Sequence, residues 1–372
     1  MVDWSTIPPD LWFEIAKRLS SYDDFAAVSG VCKSWRMAST RENLKSPPLV
    51  PWLMLADHKN SEGKILREFF SISRSQVHKI ILPEAEGKWC LTSQGWLMIL
   101  QRNPLDINLV HPLTCAHISL PSLVSKSYNC RFQIPFPFIQ KVVLSANPSR
   151  TRDFIALVIP ERGHYFAFCK LGDTVWTTIN AQFGCDDAIF HKGQVYAVDF
   201  RGSILVCDIE GPNPIGTETL SMRQVILYQQ RTRWQFYLVE SAGHLLVVLQ
   251  KREKLQDCNN YRTTKFQVFK VNLSNGEWEE VMSLGNRALF LGRNSSFSIE
   301  ASEKSGCKAN SIYFTYDCLE CKLVTPDGKG KDMGVYNLED GSLKEHYIVG
   351  GSHSNTISPM WVEPSFYSKF VE

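Results

Sequence analysis

Ala188-Ile189-Phe190, then Gln194-Val195-Tyr196-Ala197-Val198, then Gly202-Ser203-Ile204-Leu205-Val206-Cys207 is the stretch that decides the fold. Three short runs rich in β-branched, aromatic and aliphatic residues are parted by glycine-containing turns. Such runs read as consecutive strands. The same grammar extends in both directions. Cys90-Leu91-Thr92 precedes Gly95 to Leu100, and Phe154 to Ile159 precedes Tyr165 to Phe168. Leu245 to Gln250, Phe266 to Val271 and Ser311 to Phe314 follow. From Pro47 onward almost nothing shows the 3.6-residue period of a helix, and the long domain reads as all-β.

A weak repeat underlies these strands. The turns Gly95-Trp96, Gly193-Gln194 and Gly243-His244 each sit just before a β-rich run. Asp173 to Thr177, Asn275 to Glu279 and Glu339 to Leu343 occupy comparable later places. A spacing of roughly 40–50 residues is the period of a four-stranded propeller blade. The length after residue 51 holds five to seven blades, and a β-propeller is expected. A two-sheet sandwich of similar length is the alternative.

The first forty residues follow a different pattern. Leu11, Ile15 and Leu19 recur at i, i+4 and i+8, and Trp12 and Ala16 widen the stripe. Pro9 suits a first helical turn. Ser21 with Asp24 resembles a capping pair ahead of Phe25 and Val28, and Gly30 interrupts before Val31 to Ala38 resumes. Three short helices are expected, too little for a deep core of their own. Such a segment is either a cap packed on the large domain or a docking handle for a partner. Pro47-Pro48-Leu49-Val50-Pro51 then forms a helix-hostile linker.

Composition narrows the function classes. The chain has 372 residues, 44% hydrophobic and 21% charged, which is an ordinary globular balance. A formal charge of +2 argues against nucleic acid or a membrane surface as partner. The longest apolar runs fall far short of the ~20 residues of a membrane span. No secretory signal is visible at the start. Eleven scattered cysteines read as reduced core residues of a nuclear or cytoplasmic protein.

The N-terminal segment resembles an F-box. Ile7-Pro8 with Leu11, Trp12 and Ile15 matches the opening of that family, with Ile7 for the usual Leu, and Val31-Cys32-Lys33-Ser34-Trp35-Arg36 matches its later signature. The remainder resembles plant F-box proteins whose C-terminal part is the KIB-type β-propeller, once a plant domain of unknown function. Pro51 to Leu55, Gly163 to Cys169, Gly306 to Phe314, Lys331 to Gly341 and Pro359 to Pro364 carry that resemblance.

The resemblance implies a small α-helical F-box over residues 1–45, a linker and first strand over 46–60, and an all-β propeller domain over 61–372. It further implies a substrate receptor of a Skp-cullin-F-box ubiquitin ligase. The F-box would dock on a Skp-type adaptor and through it meet cullin and a RING subunit. The propeller would hold an unknown target protein. By motif position the adaptor-facing residues are Pro8, Leu11, Trp12, Ile15, Leu19, Val31 and Trp35, large apolar anchors of the kind that dominate interfaces. No catalytic residue, metal or cofactor is expected. A sequestering scaffold outside a ligase and a propeller enzyme are the alternatives.

Other motifs carry less. Cys318-Leu319-Glu320-Cys321 is a lone C-x-x-C, and Cys307, His346 and His353 do not form a second pair of zinc ligands. Asn272-Leu273-Ser274 and Asn294-Ser295-Ser296 fit the glycosylation pattern, but without a secretory signal they are expected to stay unmodified. Asp327 to Lys331 lacks phosphate-loop spacing. Arg231 to Trp234 and Lys251 to Lys254 read as solvated basic loops. Target recognition is expected in variable loops such as 123–135, 209–218 and 253–263.

Overall fold

The computed structural model describes residues 7, 8, 11, 14, 15, 35, 50–59, 65–101, 106–122, 139–160, 165–181, 184–210, 215–221, 232–254, 261–315, 332–345, 359–363 and 365. From Trp52 onward the described strands group into six blades. Blade 1 holds β1 (Trp52–Lys59), β2 (Ile65–Ser71) and β3 (Gln76–Ile81). Blade 2 holds β4 (Trp89–Ser93), β5 (Trp96–Leu100), β6 (Ile107–Val110) and β7 (His117–Leu120). Blade 3 holds β8 (Ile139–Leu144), β9 (Ile155–Pro160), β10 (Tyr165–Lys170) and β11 (Thr177–Asn180). Blade 4 holds β12 (Cys185–His191), β13 (Gln194–Asp199), β14 (Ser203–Asp208) and β15 (Ile215–Ser221). Blade 5 holds β16 (Thr232–Ser241), β17 (His244–Lys254), β18 (Tyr261–Val271) and β19 (Trp278–Glu280). Blade 6 holds β20 (Arg287–Leu291), β21 (Phe297–Glu300), β22 (Ser311–Phe314), β23 (Gly334–Asn337) and β24 (Leu343–Glu345). The ring is closed by β25 (Met360–Val362), which returns to blade 1 and pairs antiparallel with β1.

The blades depart from plain four-strand meanders in two places. A single parallel pair, Asn180 with Ile215, joins the outer strands of blades 3 and 4 into one eight-stranded sheet. In blade 6, β20 lies antiparallel to the innermost β21 but parallel to β22.

Identical turns recur where the innermost strand meets the second. Gln94-Gly95, Lys192-Gly193 and Ala242-Gly243 all have positive φ at both positions, between 49° and 80°. They link the end pairs Ser93 with Trp96, His191 with Gln194, and Ser241 with His244. Two-residue hairpins require this conformation because it matches the strand twist, and glycine is the natural second residue.

Each blade is buried on both faces, so its strands are apolar at successive positions. Trp52, Met54 and Phe69 pack toward blades 2 and 3, while Leu53 and Phe70 pack toward blade 6. Val142 and Val143 divide in the same way between two neighbouring layers. The core is therefore a ring of interblade layers. The closing strand supplies Trp361 to one of them, fully buried and edge-on to Phe290 and Tyr313 at 5.1 and 5.9 Å.

The expected fold class, a small α-helical F-box followed by an all-β domain, needs correction. Among the described residues the architecture is all-β, with 3-10 turns at Pro83–Ala85 and Glu303–Ser305 and no α-helical element. Leu11, Glu14, Ile15 and Trp35 have helical backbone at isolated positions, and the rest of the three expected helices lies outside the described residues. Helical periodicity in a short segment marks a face that needs covering, and does not by itself supply the cover. Leu11 and Ile15 remain 60% and 40% exposed.

Candidate functional site

The handle is described at four of its seven proposed contact residues. Pro8, Leu11 and Ile15 are exposed, and Trp35 is half-buried. The Leu11 amide donates to the Pro8 carbonyl at 3.1 Å, a single turn that sets Leu11 three residues on from Pro8. Trp12, Leu19 and Val31 lie outside the described residues. Leu11 and Ile15 are thus large aliphatic side chains four residues apart and both exposed.

The ring has two unlike faces. The innermost strands, β25, β4, β8, β12, β16 and β21, adjoin around the axis and run in one direction. Bonds between their ends fix this: Leu144 N donates to Ser93 Oγ at 2.9 Å, and His191 Nδ1 meets Glu240 Oε2 at 3.0 Å. The two-residue turns lie on the face where these strands end. So does the start of β1, because Trp52 pairs with Val362, the last residue of β25. The chain from the F-box-like segment thus joins on this handle face.

On the opposite, loop face lie the described strand ends that flank residues 121–138, 222–231, 255–260, 315–333 and 346–359. Of the three expected recognition stretches, 123–135 lies outside the described residues. Within 253–263, residues 253–254 and 261–263 are the ends of β17 and β18 and lie on this face, and 255–260 lie outside the described residues. Residues 209–218 stand between the third and fourth strands of blade 4 and at the start of the fourth, and the flanking ends at Asp208 and Ile215 lie on the handle face.

The axis is occupied by the protein itself. Gly292 to Ser296, between β20 and β21, touches the inner strands of three blades that are not its neighbours. Arg293 Nη2 donates to Ile139 O at 2.8 Å while its guanidinium lies 4.8 Å over the Trp89 ring. Ser295 N donates to Thr92 O at 2.9 Å, and Ser296 Oγ donates to Asp187 Oδ2 at 3.1 Å. Only a segment crossing the axis can make all of these contacts.

Beside the plug, buried polar groups satisfy one another across blades. Lys141 Nζ lies 2.8 Å from Asp187 Oδ2 and 4.8 Å over the Tyr237 ring. Tyr237 Oη donates to Gln250 Oε1 at 2.8 Å, and Arg252 Nη2 contacts both of these groups. Gln250 Nε2 donates to Thr263 Oγ1, which donates in turn to Asp332 Oδ2, each at 2.6 Å. Arg252 is therefore a buried strand residue, and the expectation of a solvated loop at 251–254 is corrected. Sequence reading missed this network because its members are far apart in the chain. A charge inside an otherwise apolar strand run, such as Lys141 between Ile139 and Val142, is the signal that could have found it.

The remaining motifs hold no chemistry among the described residues. Burial pushes the Cys307 thiol up to about 12. Cys318, Cys321, His346, His353 and the 327–331 turn lie outside the described residues. Asn294 is fully buried in the plug, out of reach of a glycosyltransferase. No helix among the described residues is long and apolar enough to cross a membrane. Fold and handle together describe a six-bladed ring preceded by a segment with two exposed aliphatic side chains, Leu11 and Ile15.

Comparison with known proteins gives this chain its family. Residues 69–337 match the KIB1-4 beta-propeller family and residues 4–47 match the F-box domain. The chain belongs to the KIB1-4 β-propeller family and carries an F-box. It is 29% identical to an Arabidopsis thaliana F-box protein, At5g55150, over 97% of both chains. It is 28% identical to the F-box protein At2g26160 of the same plant, over 84% of this chain and 95% of that one. The Arabidopsis F-box protein SKIP23 is 26% identical over 92% of this chain and 91% of its own length.

Proposed function

We propose that this chain is the target-recognition subunit of a Skp-cullin-F-box ubiquitin ligase, acting in the nucleus or cytoplasm. Pro8, Leu11, Trp12, Ile15, Leu19, Val31 and Trp35 dock on a Skp-type adaptor, which links the chain to cullin and a RING subunit. The loop face holds a target protein. The observation that carries this reading is the F-box match directly ahead of a propeller whose strand ends flanking the long connections lie on the face opposite the handle. Adaptor and target then bind without competing for surface.

The chain supplies no nucleophile or acid in this reading. Its contribution is proximity: a target lysine held near a ubiquitin thioester reacts at a raised effective concentration. The test is co-purification with a Skp-type adaptor, intact and as a Pro8→Ala/Leu11→Ala/Trp35→Ala variant. Loss of adaptor in the variant supports the docking assignment, and equal binding by both refutes it. Cullin in the recovered complex separates a ligase subunit from a scaffold that sequesters the adaptor.

A further inference from the structure

The closing strand is short for its task. β25 makes three residue pairs with β1, Trp52 with Val362, Leu53 with Trp361 and Met54 with Met360. Beside the apolar layer that Leu53 and Phe70 share with blade 6, it is the strand pairing that returns the chain to the first blade, and β1 carries the chain in from the F-box. Besides the packing of Trp361 on blade 6, two sets of polar contacts reinforce it, both to blade 2. Thr92 Oγ1 donates to Trp361 O at 2.7 Å. Beyond β25, Ser365 presents its carbonyl and hydroxyl oxygens to His111 Nε2 at 3.2 and 3.0 Å.

The receiving site is shaped for this tail. His111 is buried, and its Nδ1 faces the Thr114 amide at 3.3 Å. That amide can only donate, so Nδ1 accepts and the ring proton sits on Nε2, directed at the Ser365 carbonyl. Gly95 lies beneath the tail. A Cβ there would come 2.3 Å from Ser365 Oγ and 2.7 Å from the Glu363 carbonyl oxygen. The turn already requires positive φ at residue 95, and the tail adds a second demand for glycine.

We propose that Glu363 and Ser365, seated on Gly95 and His111, form a latch that locks β25 and β1 onto blade 2. The latch fixes how rigidly the F-box segment is attached to the propeller. Its role in ligase geometry rests on the function proposed above, but its existence does not. When the latch is open, β1 keeps its pairing with β2 and its apolar packing, while β25 is left with three residue pairs and the Thr92 contact. The handle then moves relative to the loop face.

Gly95→Ala tests this, with Gly193→Ala as its control. Both glycines are second in the same type of turn, at φ +78° and +80°, so the backbone strain added by alanine is alike. Nothing lies within 4 Å of a Cβ on Gly193. Hydrogen exchange of the full chain is read at 52–54 and 360–362. Gly95→Ala is expected to speed exchange there by ~10-fold or more over Gly193→Ala, as local opening replaces global protection. Equal exchange in the two variants overturns the latch. Should Gly95→Ala fail to fold, Ser365→Ala removes one His111 contact at no steric cost, and unchanged exchange at 360–362 in that variant overturns the proposal equally. Exchange needs no adaptor, so its outcome stands apart from the adaptor-binding test. In the adaptor complex, spin labels on handle and propeller are expected to show a broader distance distribution for Gly95→Ala than for Gly193→Ala.

Discussion

Lys141 of blade 3 and Asp187 of blade 4 meet at 2.8 Å with both side chains sealed from solvent. The carboxylate has further donors: Leu238 N and Ser296 Oγ on Oδ2, each at 3.1 Å, and Ala188 N on Oδ1 at 2.9 Å. One residue thus collects contacts from blades 3, 5 and 6. Burial pushes the Asp187 carboxyl above its ordinary range, and the Lys141 ammonium beside it works in the opposite direction. Such a pair contributes little net stability, because desolvation offsets the attraction. What it does strongly is penalise any arrangement of the blades that separates the two charges.

Lys141→Met is therefore expected to destabilise the propeller by ~3–5 kcal/mol, the usual penalty for stranding one buried charge. Adding Asp187→Leu to that variant is expected to recover much of the loss. Urea unfolding of the two variants beside the parent checks both expectations. A single variant as stable as the parent would show that Asp187 is not ionised in the fold.

The latch carries two groups whose linkage to pH has opposite sign. Burial lowers the His111 imidazole from 6.5 to about 4, against a smaller opposing effect of its bond to Ser365. The fold prefers the neutral ring, so its stabilising effect is complete above 6.5 and is drawn down as the pH falls to about 4. Burial raises the half-buried Glu363 from 4.5 to about 7, with Arg150 opposing. Its contribution is complete below 4.5 and is lost as the pH rises through 7, trimmed by the solvent it still meets. His111→Gln is expected to flatten the acid limb of the melting temperature between pH 6.5 and 4. Glu363→Gln is expected to flatten the limb approaching pH 7. Identical pH profiles for parent and variants would exclude both groups.

Sequence legibility divides along physical lines. The strands were legible because blades buried on both faces need runs such as Leu245 to Leu249, and because two-residue hairpins need glycine at 95, 193 and 243. Loop faces were not, since which connections share a face depends on strand direction throughout the ring. The expectation grouped 209–218 with 253–263, whereas the strand ends that flank them lie on opposite faces. Blade 6 was hidden as well, because the parallel pairing of β20 with β22 leaves no mark in alternation. The handle was legible as a motif and not as a structure: its apolar stripe names the surface that needs a partner, and the described residues carry no helix beneath it.

Thiol chemistry offers a direct check on the inert reading of the cysteines. Burial pushes Cys169, Cys207 and Cys307 up to about 12, and Cys185 well above its ordinary value. The thiolate is the reactive form, so these four are expected to resist alkylation by a maleimide at pH 7 until the protein unfolds. Mass spectrometry of the native, labelled chain reads this residue by residue. Rapid labelling of Cys307 would contradict its burial between blades 6 and 1.

Leu11 and Ile15 give the sharpest separation of binding from folding. At 60% and 40% exposure they contribute little to the propeller, and truncating exposed side chains is expected to change stability by less than ~0.5 kcal/mol. At an adaptor interface the same side chains would be desolvated, where losing an apolar anchor costs more than ~1 kcal/mol. Leu11→Ala/Ile15→Ala should therefore melt with the parent yet lose ~30-fold or more in adaptor affinity, taking the two effects as roughly additive. Calorimetric titration with the purified adaptor measures the second quantity and a thermal melt the first. A variant that binds like the parent would remove these two residues from the interface. One that melts early would show that the segment is packed on the propeller, as the helical-cap alternative requires.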